Sequence, residues 1–453
     1  MIDLSRPQHV HVVGAGGAGM SAIAQVLSTM GHEVSGSDLK SSPAFERLRR
    51  AGLEMSLGHD ASQVAGASAL AISSAVARSN VEVVEAERLG IPVLSRADVL
   101  SAITELRRTV AVAGTHGKTT TASMLSLVLV EAGLKPSFVI GGDVNDIGTN
   151  AVWDEGEWLV VEADESDGTF LRLRPEIAVV TSVDPDHLES YGSFESLEDS
   201  FRRFMTQAGA CVVSADDPTA ASLAPPGALT FGQAPAATLS MGDLSSGRSE
   251  VSFSLALRGD DLGSFALAVP GAYNARNAAA AVAASCLLGV DPSVARHALA
   301  RFAGVARRFE FRGERHGVTF VDDYAHLPNE VRAALAAARD GGFERVIAVF
   351  QPHRYSRIAT LAPSFADAFL GADAVFVTQI YASGEAARPG VSGQLVVEAV
   401  RAAHPEAWVE YVPSHESLLE RLRAELRPGD LCITLEAGDL TSLPDELLSD
   451  EAW

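Results

Sequence analysis

The residues of this chain best equipped for chemistry sit in two short glycine-rich stretches. The sharper is "VAGTHGKTTTASML", residues 112–125, where Gly114, Thr115, His116, Gly117, Lys118, Thr119 and Thr120 separate an apolar run from a helical one. Backbone N–H groups in such a loop cradle phosphate oxygens, a lysine reaches the terminal ones, and a hydroxyl at the Thr119 position suits Mg²⁺. The common nucleoside-triphosphate loop carries a further glycine five residues before Gly117, and that position is Val112. The loop is a shortened one with the same mechanics. Among the 35 basic residues only Lys40, Lys118 and Lys135 are lysines, the rest being arginines. A lysine kept inside this loop points to a task for a compact ammonium rather than a planar guanidinium.

The second stretch is "VVGAGGAGM", residues 12–20. Gly14, Gly16 and Gly19 follow a strand-like run and open a helix, and Asp38 ends the next strand 19 residues beyond Gly19. Glycines let the backbone approach a pyrophosphate at a helix N-terminus, and the carboxylate suits ribose hydroxyls. The pattern identifies a diphosphate and a ribose, which a nicotinamide dinucleotide and a UDP-linked substrate both carry. An oxidoreductase reading leaves "GTHGKTTT" without a purpose.

Further polar clusters stand at the ends of apolar runs: Glu162 in "VEADESD", His187 in "DPDHLESY", and His353, Arg354 and Arg357 in "FQPHRYSR". A carboxylate at a strand end beside a triphosphate loop is a natural ligand for a hard cation, although a salt-bridged carboxylate would look the same in sequence. Arg354 and Arg357, three residues apart, can face a carboxylate together as bidentate donors. His353 can orient an amine or take its proton.

These clusters need elements to hold them. Runs such as "HVHVVGA", "RTVAVAG", "EWLVVEADES", "EIAVVTSVDPDH", "VTFVDDYAH", "RVIAVFQPHR", "AVFVTQIYASGE" and "DLCITLEAG" read as strands buried on both faces, alternating with helices. Such strands form parallel sheets with ligands gathered at their carboxyl ends. Residues 228–270 alternate apolar and polar positions and read as an antiparallel appendage. The boundaries fall near 104 and 303, giving segments 1–103, 104–303 and 304–453.

Composition narrows the classes. At 453 residues, 47% hydrophobic and 21% charged, the chain buries ordinary cores. No apolar run reaches the ~18–20 residues of a membrane span, and the first residues lack a secretory pattern. A net charge of −23 argues against nucleic acid as partner. Three separated cysteines, Cys211, Cys286 and Cys432, fit a reducing cytoplasm.

A shortened GxxGKT loop behind a separate nucleotide-type loop resembles the Mur ligase family. The likeness runs along the chain through "GAGGAGMSAIA", "GSD", "AVAGTHGKTTT", "VEADESD", "DPDHLESY", "PGAYNARNA", "RRFE", "DDYAHLPNE", "FQPHRYSR" and "YASGE". It implies three α/β domains: a Rossmann-like N-terminal domain for a UDP substrate, a central P-loop-like ATPase domain with a parallel sheet, and a C-terminal Rossmann-like domain. It implies ATP with two Mg²⁺ ions, and ligation of L-alanine to UDP-N-acetylmuramate through an acyl phosphate. "FQPHRYSR" favours a small amino acid over the tripeptide, glutamate or diamino acid of related ligases.

The resemblance also distributes roles. Gly14, Gly16, Gly17, Gly19, Met20, Asp38, Ser73 and Ser74 take the UDP substrate, and Tyr324, His353, Arg354 and Arg357 the acceptor side. Gly114 to Thr120, Asn274, Asn277, Arg307, Arg308, Asp322, Asp323 and His326 contact ATP. Thr119, Glu162 and His187 hold metal, and Lys118, Glu162, His187, Arg308, His353 and Arg357 are catalytic. Several relatives use a carbamylated lysine in the central domain, and this chain has no lysine after Lys135. Three positions depart from the family pattern: Tyr273 and Leu327, where it usually has histidine, and Glu436, where it usually has glycine. These departures keep a nucleotide-binding regulatory protein in view as an alternative, which formation of product would exclude.

Overall fold

The computed structural model describes residues 2–73, 75–186 and 188–450. Among them three mostly parallel sheets form, each flanked by helices, in an α/β architecture. Two expected site residues, Ser74 and His187, lie outside the described residues.

The first sheet is wholly parallel, in the order Glu54–Leu57, Glu33–Asp38, His9–Val13, Ala69–Ile72, Val93–Ser95. This is the doubly wound arrangement, whose strand order reverses beside His9–Val13, at the loop that carries the first glycines. The helix Ala18–Thr29 follows that loop and buries Met20, Ile23, Ala24, Val26 and Leu27 against the sheet.

The second sheet centres on Arg108–Ala113, paired in parallel with Ile177–Val180 on one side and Trp158–Glu162 on the other. Every residue from Thr109 to Ala113 is buried, as an interior strand covered on both faces requires. The following helix, Lys118–Glu131, is buried from Thr119 to Leu129, which explains its lack of a polar stripe. A hairpin not legible in the sequence, Ser137–Val144 with Thr149–Val152, closes one edge antiparallel. At the other edge, residues 228–270 continue the same sheet rather than forming a separate appendage. Leu229–Gly232 pairs in parallel with Ala210–Ser214 and with Leu239–Ser246, so the alternation seen in sequence marks half-exposed edge strands.

The third sheet runs Glu310–Arg315, Val318–Asp323, Asp430–Leu435, Arg345–Phe350, Ala374–Val377, Val409–Tyr411. Its first pair is antiparallel and the rest parallel. The chain divides into two compact units. The first contains the first two sheets through residue 242, with 254–265 and 276–302 added, and the second contains 243–253, 266–275 and the chain from 303 onward.

Candidate active site

In the first unit, the N-terminal glycines are fixed by the neighbouring strand end. Gly14 and Ala15 donate to the Ser37 carbonyl at 2.9 and 3.1 Å, and Gly14 takes φ +78°, where a Cβ would stand 2.9 Å from Ser73 Oγ. Asp38 Oδ2 accepts from Gly16 N at 2.8 Å, and Ser42 Oγ donates to Gly16 O at 2.8 Å. The expected ribose carboxylate is thus also the staple of the glycine loop. Gly17 caps the helix Ala18–Thr29 with no side chain, leaving the positive end of that helix open toward an anion. Met20 is 2% exposed and packs in the core, so only its backbone faces the loop. Arg96 lies against Gly19, its Cδ 3.2 Å from where a Cβ would stand.

The second loop is tied to the end of Ile177–Val180. Thr115 N donates to Ser182 O at 3.0 Å and His116 N to Ser182 Oγ at 2.9 Å, while His116 Nε2 meets Asp184 Oδ2 at 2.8 Å. Gly117, at φ +81°, opens the helix Lys118–Glu131, and a Cβ there would overlap Asn277 Oδ1. Lys118 Nζ donates to Gly114 O at 2.7 Å and to both oxygens of Glu165 at 2.9 and 2.7 Å. Burial opposes the charge on Lys118, but the carboxylates of Glu165, Asp164 and Glu162 outweigh it and hold the ammonium well above the usual lysine range. Burial pushes Glu165 up to about 7 despite that partner. The carboxyl of Asp164 is held low, because Lys118 and Arg96 outweigh its burial.

Glu162 ends its strand beside Val112, two residues before Gly114, and its Oε2 accepts from Gly141 N at 2.7 Å. No group of three or more His, Cys, Asp or Glu forms a metal cage among the described residues. The Thr119 hydroxyl and the Glu162 carboxylate are hard oxygen donors beside a phosphate loop. That set fits Mg²⁺, which takes its remaining ligands from phosphates and water. Arg96, Asp164, Glu165 and Tyr191 join this site and were not singled out in sequence. Arg96 Nη2 donates to Asp167 at 2.9 Å and Asp164 at 3.3 Å, and Tyr191 Oη donates to the Glu165 carbonyl. The acidic run "DESD" was the only available signal, and it does not say which carboxylate faces the lysine.

The second unit gathers another cluster. Tyr324, His326, His353 and Tyr381 form a row of rings with centroids 5.5, 5.4 and 5.8 Å apart, the last pair stacked at 12°. At one end the guanidinium carbons of Arg307 and Arg308 lie 4.7 and 5.0 Å from the Tyr324 centroid. Toward the other, Arg357 Nη1 and His353 Nδ1 are 2.9 Å apart. Arg354 holds φ +65° at the start of the helix Tyr355–Leu361, a strained conformation for a residue with a side chain. Tyr381 and Glu385, which binds Ser356 N at 2.9 Å, complete the cluster from "YASGE". Asn274 donates to Pro270 O at 2.7 Å on the helix Ala272–Leu287, which also carries Asn277. Of the departures, Leu327 is buried, and burial pushes the Tyr273 hydroxyl far up.

Asp322 and Asp323 end the strand Val318–Asp323. Asp322 accepts from Thr441 Oγ1 at 2.8 Å, and Asp323 accepts from Phe309 N and Ala325 N at 2.7 and 2.8 Å. Burial pushes Asp323 up to about 7 against the pull of Arg308. The folded protein therefore keeps a proton that the unfolded chain loses from pH ~4 upward. The stability advantage of the native protein over Asp323→Asn is expected to shrink as pH rises from about 4 to about 7. The decline is at most about 1.4 kcal/mol per pH unit. Denaturant unfolding of both proteins across that range measures it, and a constant difference would refute it.

Three family profiles match successive parts of the chain. Residues 9–108 match the family profile described as Mur ligase family, catalytic domain; residues 112–285 match the Mur ligase middle domain, and residues 307–438 the Mur ligase, glutamate ligase domain. The UDP-N-acetylmuramate–L-alanine ligase of Solibacter usitatus is 44% identical over 450 residues, covering 98% of this chain and 95% of that protein. That of Rubrobacter xylanophilus is 46% identical over 452 residues, covering 97% and 99%. Among solved structures, the UDP-N-acetylmuramate-alanine ligase MurC of Thermotoga maritima superposes with a TM-score of 0.84 at 28% identity, covering 97% of this chain and 98% of the other. A murein peptide ligase from Psychrobacter arcticus, at TM-score 0.71 and 22% identity with 98% of both chains covered, shares the fold.

Proposed function

This chain belongs to the Mur ligase family, and we propose that it ligates L-alanine to UDP-N-acetylmuramate with ATP, in the cytoplasmic stage of peptidoglycan synthesis. It is an ATP-dependent, amide-bond-forming ligase. The observation that carries the reading is the pair of glycine loops, each opening a helix, with a charged lysine in the second. Two separate phosphate cradles suit a substrate diphosphate and a nucleoside triphosphate that react together.

A carboxylate becomes an acylating agent only when one of its oxygens is turned into a leaving group. In the proposed reaction the γ-phosphoryl of ATP passes to the lactyl carboxylate, and the resulting acyl phosphate loses phosphate to the attacking amine of L-alanine. Lys118 neutralises the phosphoryl oxygens, and the N–H groups at Gly117 and beyond hold the phosphates. Thr119, Glu162 and His187 are the residues for Mg²⁺, which when bound offsets the negative charge that builds between the phosphates and the acyl group. Arg308 is a further cation assigned to ATP in this reading. Arg354 and Arg357 receive the carboxylate of L-alanine, and His353, whose Nδ1 accepts from Arg357 and whose proton therefore sits on Nε2, orients the amine, which gives up its proton to the departing phosphate. Gly14 to Gly19, Asp38 and Ser73 hold the UDP portion.

Phosphate release tests this reading. With ATP, Mg²⁺ and UDP-N-acetylmuramate, L-alanine is expected to exceed glycine, L-serine, D-glutamate and a murein tripeptide. Release with the tripeptide alone would assign the chain to the recycling branch, and ATP binding without release for any acceptor would favour a regulatory protein.

A further inference from the structure

Glu436 follows the strand Asp430–Leu435 and is fully buried, and its backbone N continues the sheet by donating to Asp323 O at 3.0 Å. A buried carboxylate is costly unless each oxygen is engaged. Here each is. Oε1 pairs with Arg307 Nη2, and Oε2 accepts from the N–H of Gly438.

The two partners lie at opposite ends of the ring row. Arg307 stacks on Tyr324, and the Tyr324 N–H donates to the Arg307 carbonyl at 2.8 Å. Arg307 sits at φ +62°, and its Nε is buried without a hydrogen bond, 3.8 Å from Asp322. Glu436 is thus the main anchor of that guanidinium. Gly438 packs on Tyr381: a Cβ there would stand 2.6 Å from Tyr381 Cγ and would overlap Gln351 Oε1. Gln351 in turn binds Asp439 through both ends of its amide, at 2.8 and 3.1 Å. One side chain therefore ties the Arg307–Tyr324 end of the row to the turn that supports Tyr381, with His326 and His353 between.

We infer that Glu436 is a positioning residue for the acceptor amino acid, setting the separation of Tyr324 and Tyr381 and so the placement of His353 between them. The inference rests on the ligase reading. It gives a purpose to a fully buried carboxylate that neither glycine loop uses: the charge clamps the turn at Gly438 to Arg307. Glycine at 436 would leave Arg307 without its anchor and the row free to widen. A shift of a positioning group by about 1 Å costs on the order of 10²-fold in rate, so partial loosening is expected to register first as weaker capture of the acceptor.

The test is steady-state phosphate release with L-alanine varied, for the native protein, Glu436→Gln, Glu436→Ala and Glu436→Ala/Arg307→Ala. Glutamine keeps the volume and an acceptor for Gly438 but loses the charge facing Arg307. The expected result is a KM for L-alanine raised about tenfold in Glu436→Gln, with kcat much less affected and the KM for UDP-N-acetylmuramate unchanged. Removing Arg307 as well should add little to the rise in KM for L-alanine caused by Glu436→Ala, because the pair acts as one unit toward the acceptor, while the contact of Arg307 with ATP is read separately from the KM for ATP. A purely structural role would lower kcat through loss of folded enzyme and leave KM alone. A KM rise smaller than about fivefold in Glu436→Gln overturns the proposal. If the native protein prefers another acceptor, the same comparison is made with that acceptor, so the ligase reading and the positioning role stand or fall separately.

Discussion

Lys118→Ala is expected to lower phosphate release by about 10³-fold or more, with UDP-N-acetylmuramate binding and the fold retained. The ammonium is held between the Gly114 carbonyl and Glu165, at 2.7 Å from each, at the start of a buried helix. Neighbouring carboxylates keep it charged, so in the proposed reaction it meets the phosphoryl oxygens with a full positive charge. Lys118→Arg is expected to be nearly as inactive, because a planar guanidinium does not fit a space shaped around a single nitrogen. The alanine variant leaves Glu165 buried without its partner. That group, already pushed to about 7, can take up a proton instead of remaining charged. The loss of stability in Lys118→Ala should accordingly be small near pH 6 and grow toward pH 9, where Glu165 must ionise. Thermal melting across that range, beside rates of phosphate release, checks both parts. Activity within tenfold of native would remove Lys118 from the catalytic set.

Gly114→Ala is the second large effect. Gly114 holds φ +133°, a conformation closed to residues with a side chain, and a Cβ would overlap Thr181 Oγ1 and stand 2.9 Å from Ser182 N. Neither neighbour can retreat easily. Thr181 and Ser182 are themselves bonded to the loop through Ala113 O, His116 O, Thr115 N and His116 N. Strain of this kind costs on the order of 1–3 kcal/mol, and its relief must shift the loop that carries Lys118. The expected outcome is a lower melting temperature together with ATP affinity and turnover reduced by about 10²-fold. Gly133→Ala supplies the contrast, since that glycine has φ +71° but open space around it. It should cost about 1 kcal/mol and leave turnover unchanged. Equal effects of the two substitutions would show that the loop tolerates displacement.

The sequence alone carried the local devices. Gly14, Gly16 and Gly19 before one helix, and Gly114 and Gly117 before another, specify tight turns that present a helix N-terminus, the feature a phosphate site needs. That requirement is met within a few consecutive residues, so spacing reveals it. The buried apolar runs specified parallel sheets for the same reason, because a strand covered on both faces leaves no polar alternation. Weak patterns misled: residues 228–270 alternate because they are edge strands of the central sheet, and alternation cannot tell an edge from a separate appendage. The hairpin at Ser137–Val144 gave no clear signal, since its exposed half breaks the apolar run.

What only the tertiary structure decided is which charge meets which. "DESD" offers Asp164, Glu165 and Asp167 within four residues. The side-by-side pairing of Arg108–Ala113 with Trp158–Glu162 gives Glu165 to Lys118, 47 positions away, and the packing of the helix Arg96–Thr104 against Thr169–Arg172 gives Asp167 to Arg96, 71 positions away. Glu436 looked in sequence like an intrusion into a glycine site. In the folded chain it meets Arg307, 129 positions earlier, because Asp430–Leu435 and Val318–Asp323 are neighbours in the third sheet. Backbone geometry is set by the residues that make it and can be read from their order. The pairing of buried charges is set by which strands lie side by side, and that depends on long-range packing which no local spacing encodes.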